Sequence, residues 1–398
     1  MKRRDFIKNS ALGSTVMLVP SFLKPFETAA AGATGHKTLV VIQLSGGNDG
    51  LNTVVPYGNE LYYQKRPGLA ISQKEVIRLD DMQGLNPAMA ALQEIYDQGW
   101  MNILNDVGYP NPDRSHFRSM DIWQTASDAD QYLSTGWIGR YLDSECSACK
   151  SPHNAIEAGE ALSLAMKGET RKGIAVTNPG QLYRNTREPF FNEVAENAKG
   201  EHLDEDNLGY LYKTMIETCS SAAYIQETSR SYKTNGAYPG SAFAAQLKLI
   251  SRFINSGLST RVYYASLSGF DTHSGQPARQ ERLLKIYSEG MTAFLKDLKK
   301  QGNLDDTLVM TFSEFGRRVE QNASNGTDHG TANNLFLFGG KLRKPGIFNE
   351  APNLADLEGG DLKFKIDFRN VYASLLDKWL EVNDTAVLNK EFSKISLV

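Results

Sequence analysis

Cysteine is scarce in this chain, with three among 398 residues. Cys146 and Cys149 form Cys-Ser-Ala-Cys and Cys219 stands alone. No second CxxC exists, which excludes a zinc site built on cysteine. The close pair is expected either to form a local disulfide or to stay as two inert thiols. Basic tracts are missing as well. With 43 lysines and arginines against 46 acids, the formal net charge is -3. That balance argues against nucleic acid and against anionic membrane surfaces as partners. Beyond the N-terminal region no apolar run approaches the roughly 20 residues that a membrane span needs, so no transmembrane segment is expected there. There is no internal repeat and no low-complexity linker. Histidine numbers only six, so where each one falls carries information.

What is present begins with an address. Lys2, Arg3, Arg4 and Lys8 precede a weakly apolar run from Ala11 to about Leu23. Paired arginines with apolar residues behind them are the pattern of a twin-arginine signal. Ala29-Ala30-Ala31 and Ala31-Gly32-Ala33 both offer small-residue cleavage sites. Residues 1–33 are therefore expected to be a signal peptide and 34–398 the mature protein, periplasmic, extracellular or on the cell surface. The other readings are an ordinary basic helix or a short membrane anchor. The run is too short for an anchor and holds Ser14, Thr15, Pro20 and Ser21. Because the twin-arginine route carries folded proteins, a metal inserted before export is compatible with it.

The body alternates short apolar runs with amphipathic stripes. Leu39 to Leu44 reads as a strand buried on both faces, the mark of a parallel sheet. Asn86 and Pro87 open a helix whose Met89, Leu92 and Ile95 share a face before Gly99, and Met101 to Leu104 reads as the next strand. Phe243, Leu247, Ile250 and Ile254 form a stripe that stops at Gly257, followed by a strand from Val262 to Leu267. Leu284, Tyr287, Met291, Phe294 and Leu298 form another, stopping near Gly302, before a strand from Thr307 to Phe312. Asn334 to Phe338 is a further apolar run. This alternation predicts a three-layer α/β/α sandwich with a mostly parallel central sheet, as one domain. Residues from about 146 to 238 are more polar, with acids clustered from Glu201 to Asp206. They are expected to be an insertion or cap.

In such sheets ligands bind beyond the carboxyl ends of the strands. There the chain places Asn48-Asp49, Asp271-Thr272-His273 and Ser313-Glu314-Phe315-Gly316-Arg317, and just before the Asn334 strand it places Thr327-Asp328-His329. Singly these are ordinary turn residues. Gathered at one edge, carboxylates and imidazoles repel or stay unpaired unless a cation sits among them. Asp49, Asp271, His273, Glu314, Asp328 and His329 are accordingly the expected metal ligands. Mixed oxygen and nitrogen donors suit zinc or manganese, and carboxylate-rich ends also accept magnesium or calcium, as one ion or two. Ser115, with His116 beside it, is a candidate nucleophile; equally, Ser115 could cap a helix running through Met120 and Trp123.

The ordered strings Gly46-Gly47-Asn48-Asp49-Gly50-Leu51-Asn52, Arg114-Ser115-His116-Phe117, Gly269-Phe270-Asp271-Thr272-His273, Ser313 to Arg317 and Thr327-Asp328-His329-Gly330 resemble an exported bacterial family. It is known as domain of unknown function 1501. The likeness runs from the N-terminal signal to Asp367-Phe368-Arg369 and Val371-Tyr372. That family in turn resembles the alkaline phosphatase superfamily of phosphatases, sulfatases and phosphoglycerate mutases. The superfamily order is an Asp, a Ser or Thr nucleophile, an Asp with a nearby His, an Asp-His pair and a last His. Asp49, Ser115, Asp271 with His273, Glu314 and His329 fall in that order. Two positions depart from it: Glu314-Phe315 replaces the Asp-His pair, and Asp271 and His273 lie closer than usual. His116 or Asp328 could fill the gap, or the centre could hold one metal or none.

The resemblance implies an alkaline phosphatase-like fold and a metal-dependent hydrolase of phosphate or sulfate esters using Ser115 and His116. The substrate would be a small anionic ester or an extracellular polymer. Asn48, Arg114 or Arg317 would hold its anionic group, since a guanidinium matches paired oxygens. The plainer account of Arg317 is a salt bridge with Glu314 or a neighbour. The rival function is a secreted binding or assembly protein that keeps the fold, works with a protein partner and has lost the chemistry.

Overall fold

The computed structural model describes residues 36–145, 152–191, 193, 207–234 and 236–398. The expected signal peptide at 1–33, the Cys146–Cys149 pair and the acidic cluster at 201–206 lie outside these. Residues Lys37–Val398 form one compact unit.

Its centre is a nine-stranded sheet. In chain order the strands are β1 (Thr38–Ser45), β2 (Met101–Gly108), β3 (Ala155–Glu157), β4 (Ile174–Ala175), β5 (Val262–Ser268), β6 (Thr307–Phe312), β7 (Asn333–Phe338), β8 (Gly346–Ile347) and β9 (Ile366–Asp367). They lie in the order β8-β2-β7-β6-β1-β5-β3-β4, with β9 also on β2. β1 has parallel neighbours on both sides, Val40 standing beside Tyr263 of β5 and Val309 of β6. That position explains its unbroken apolar run. Val40, Ile42 and Leu44 enter one core, Leu39 and Val41 the other, as the two-residue period of a strand requires.

Helices cover both faces. Helix α1 (His116–Thr125), α2 (Trp137–Glu145) and α6 (Phe368–Lys378) pack on the Leu39 side, through Trp123, Trp137, Tyr372 and their neighbours. On the Val40 side lie α4 (Ala242–Asn255) and α5 (Gln276–Lys300). The long helix α3 (Asn207–Arg230) buries Ala222 and Ile225. The result is the expected three-layer sandwich.

Three details differ from the sequence reading or sharpen it. The segment after Asn86 is not one α-helix: residues Pro87–Leu92 form a 3-10 turn, Met89 leaves helical geometry, and Gln93–Asp97 is α-helical. Met89, Leu92 and Ile95 are spaced by three, a period that both helix types satisfy, so the buried stripe could not tell them apart. The stretch around 146–238 is partly built into the sheet, since β3 pairs with β5 and β4 with β3. Finally, β7 alone among the nine strands of this sheet runs against the rest. Its start therefore lies at the edge where the other strands end, which carries the Thr327–Gly330 loop to the ends of β1, β5 and β6.

Candidate metal centre and active site

Four loops meet at that edge. Gly46 follows β1 with φ +118°, and a Cβ there would come within 2.4 Å of the Asp271 backbone nitrogen. A glycine is thus what lets the β1 and β5 turns touch. Gly326 meets His273 equally closely, a Cβ there reaching 2.3 Å from its carbonyl carbon. From the fourth side, α1 begins at His116 and points its first residue at the same spot.

The arrangement of the three histidines is specific. His116 Nδ1 lies 2.9 Å from Glu314 Oε1, His273 Nδ1 3.2 Å from Asp328 Oδ1, and His329 Nδ1 2.7 Å from the Arg114 carbonyl oxygen. Each Nδ1 faces an acceptor, so in the neutral tautomer that donates there, each Nε2 carries a free lone pair. Those three Nε2 atoms converge on Asp271 Oδ1 at 3.5, 3.2 and 3.5 Å. The Nε2 atoms of His273 and His329 are 2.9 Å apart, and that of His116 is buried without a hydrogen-bond partner. His116, Asp271 and His329 offer ligand atoms within 4.8 Å of one another. Lone pairs facing one another around a carboxylate fit a cation between them, and a set of three imidazoles with one carboxylate suits zinc or another first-row ion.

The surroundings hold this set in place. Glu314 is fully buried and also accepts from the Gly46 backbone N–H at 2.8 Å. Phe315, buried, packs its ring 4.8 Å from His116 and 4.7 Å from His329. Arg317, buried, donates to the carbonyls of Gly47, Phe270 and Thr327 and to Asp271 Oδ1 at 2.8 Å. For Asp271, partial burial opposes ionisation, but the Arg317 hydrogen bond and charge with the neighbouring imidazoles bring its carboxyl down to about 2. The Glu314 hydrogen bond raises His116 above an ordinary imidazole, while burial lowers His329.

The expected site residues fall into three groups. Asp271, His273 and His329 converge, and His116 joins them at the centre. Glu314 and Asp328 sit one step out, each orienting an imidazole. Asp49, Asn48 and Arg317 are committed elsewhere. Asp49 Oδ2 is 2.6 Å from Arg66 Nη1, with both side chains fully buried, and it also accepts from Gln276. Asn48 is buried, bonded to Thr53 and Ser313. Arg317 spends its donors on the loops, and its salt bridge is with Asp271 rather than Glu314. Arg66 and Gln276 carried no motif that could have marked them, because each matters only through a contact far along the chain.

Ser115 occupies the N-cap position of α1, yet its side chain makes no capping bond. Its backbone N–H is taken by Asp113 and its side chain is exposed. Arg114 is half-exposed and pairs with the buried Asp361.

A mostly parallel α/β sandwich with an imidazole–carboxylate cluster at its strand ends is the class of protein these observations define. Residues 108–388 match the family described as "Protein of unknown function (DUF1501)". The chain belongs to that family. No curated protein matches it significantly. Among solved structures it is similar to the PsFucS1 sulfatase of Pseudoalteromonas, with TM-score 0.40, 12% identity, and 94% of this chain and 72% of that one covered. It is also similar to a protein in the alkaline phosphatase superfamily from Vibrio parahaemolyticus (TM-score 0.38, 14% identity, 90% and 71% covered). A third is the C-terminal periplasmic domain of EcEptC from Escherichia coli in complex with Zn (TM-score 0.37, 11% identity, 77% and 74% covered). Scores this low leave the chemistry to be argued from the chain's own residues. Among the described residues no helix is long and apolar enough to cross a membrane.

Proposed function

We propose that this protein is an exported, metal-dependent hydrolase of phosphate or sulfate esters. The observation that carries the reading is the set of three imidazoles, each anchored through Nδ1, whose Nε2 atoms converge on Asp271 Oδ1. Export rests on the Arg3-Arg4 pair and the apolar run behind it.

His116, Asp271, His273 and His329 would hold one first-row ion, zinc by preference for this donor set. A bound ion at this place supplies Lewis acidity toward a non-bridging oxygen of the ester and toward the attacking oxygen. Glu314, Asp328 and the Arg114 carbonyl fix the ring orientation, the outer hydrogen bonds that ligating histidines need. Arg317 ties the loops after β1, β5 and β6 into one frame and keeps Asp271 ionised. Ser115 offers the nucleophile: its hydroxyl is exposed, free of the capping bond, and set at a helix N-terminus where negative charge is favoured. In attack, Oγ gives up its proton and bonds to phosphorus or sulfur, while the ester oxygen leaves with a proton as the alcohol. Water then splits the serine ester, releasing phosphate or sulfate and restoring the hydroxyl.

The test is turnover of aryl phosphate and aryl sulfate by metal-loaded wild type and Ser115→Ala. Wild-type turnover that vanishes in the variant while bound metal remains is the expected result. Activity surviving in Ser115→Ala removes the nucleophile role. Metal binding with no turnover of either ester class would favour the rival, a secreted binding or assembly protein.

A further inference from the structure

Next to the centre lies an arrangement of charge that the reaction above does not use. Arg114 and Arg318 each adjoin a residue of the centre, through a bond from His329 Nδ1 to the Arg114 carbonyl and one from the Arg318 N–H to the Asp328 carbonyl. Their guanidinium groups reach toward one carboxylate, Asp361. Arg114 Nη2 contacts Asp361 Oδ2, and Arg318 Nε lies 3.9 Å from Asp361 Oδ1. Asp361 is fully buried, whereas the arginine side chains are 45% and 38% exposed. Two cations thus share one anion, and the surplus positive charge faces solvent at the rim.

A short hairpin carries the shared carboxylate. Asp361 opens the second strand of a hairpin, Leu357–Glu358 paired with Asp361–Leu362, whose turn is Gly359-Gly360. Both glycines have positive φ, and a Cβ on Gly360 would stand 3.3 Å from Arg318 Nη1. That contact is with the end of a flexible side chain, and it is the positive φ at both positions that calls for glycine. Arg318 Nε stays 3.9 Å from Asp361, beyond hydrogen-bond distance. Arg114, hydrogen-bonded to the buried Asp361, is oriented in advance, which lowers the ordering cost of binding.

We infer that Arg318, with Arg114, forms a subsite for a second oxyanion of the substrate, a phosphate or sulfate group other than the one being hydrolysed. The inference rests on the ester-hydrolase reading and deepens it, giving the substrate class as a multiply charged ester such as a polyanionic sugar. Of the two arginines expected to hold an anion, Arg114 takes part here, whereas Arg317 is buried and its neighbour Arg318 is the one partly exposed. Fork-shaped donation to paired oxygens is what the guanidinium geometry provides.

The experiment is calorimetric titration of the metal-loaded protein, with Ser115→Ala added to wild type and every variant so that no ester is split, using matched sugars: glucose 6-phosphate against glucose 1,6-bisphosphate, and glucose 6-sulfate against glucose 3,6-disulfate. Wild type should bind the doubly charged member about tenfold more tightly in at least one series, and that series identifies the oxyanion. Arg318→Met, which keeps the apolar stem and removes the charge, should lose this advantage. Lys296→Met, an exposed charge on α5 paired with Glu94, should keep it. No advantage in either series for wild type overturns the inference, as does an advantage that persists in Arg318→Met. Binding is read without turnover, so a protein that prefers the doubly charged sugar through Arg318 but hydrolyses nothing sinks the hydrolase reading alone.

Discussion

Arg66→Met probes why Asp49, the first residue suspected as a metal ligand, stands apart from the centre. Arg66 is fully buried and donates to Asp49 Oδ2 at 2.6 Å, Asn52 Oδ1 at 2.9 Å, the Val319 carbonyl at 2.9 Å and the Arg318 carbonyl at 2.8 Å. Methionine fills much of the same volume but strands a buried carboxylate with Gln276 as its remaining donor. Removing one partner of a buried pair costs about 3–5 kcal/mol, a large share of the roughly 5–15 kcal/mol that a domain has. The double variant Arg66→Met with Asp49→Asn removes the stranded charge and should recover about 1–3 kcal/mol. Urea unfolding of metal-free protein measures both, at matched m-values. Asp49→Asn alone should keep the wild-type metal content, because Arg66 rather than an ion neutralises Asp49. If Asp49→Asn loses its metal, or Arg66→Met unfolds at the wild-type urea midpoint, the assignment of Asp49 to a structural ion pair is wrong.

Other consequences follow from the same contacts. Glu314→Gln keeps an acceptor for the Gly46 N–H but weakens the orientation of His116, so metal affinity should fall about 10–100-fold in competition with a chromophoric chelator. His153 is buried beside Ser221 and Tyr224, and burial lowers its pKa to about 4. The unfolded chain therefore takes up its proton first. This contribution to stability is complete above about pH 6.5 and falls away toward pH 4, by about 3 kcal/mol over the whole range. His153→Gln should flatten that part of a stability–pH profile, and an unchanged slope would refute the assignment. Ser115→Ala should shift the unfolding free energy by less than about 0.5 kcal/mol, since no capping bond is lost.

The parts of the fold legible in the sequence were those with one dominant cause. β1, β6 and the first half of β5, Val262 to Ala265, are apolar because they are buried on both faces, and α4 and α5 repeat their apolar residues on one side. Gly257 and Gly302, both at positive φ, end those helices as their spacing suggested. The 3-10 turn at Pro87–Leu92 escaped because its buried residues obey both periods. At the centre, motif order brings out Asp271, His273 and His329, while His116 is legible only as a catalytic neighbour of Ser115 or as one of two residues that could fill the gap in the metal set. Its ring meets Glu314 and Asp271, contacts far along the chain that sequence adjacency does not encode. Asp49 was misleading because its Arg66 partner comes from an unmarked turn. The antiparallel β7 was equally hidden: strand direction depends on the connection, and an apolar hexapeptide reads the same both ways.

The central claim is that three histidines and Asp271 form one metal centre. Its most direct test is elemental analysis of the protein exported by its host, beside His116→Ala with His329→Ala and beside Asp49→Asn. The account predicts about one first-row ion per chain in the wild type and in Asp49→Asn, and none in the double histidine variant. A wild type that carries no ion after incubation with zinc would contradict it, as would a double variant that retains the full complement.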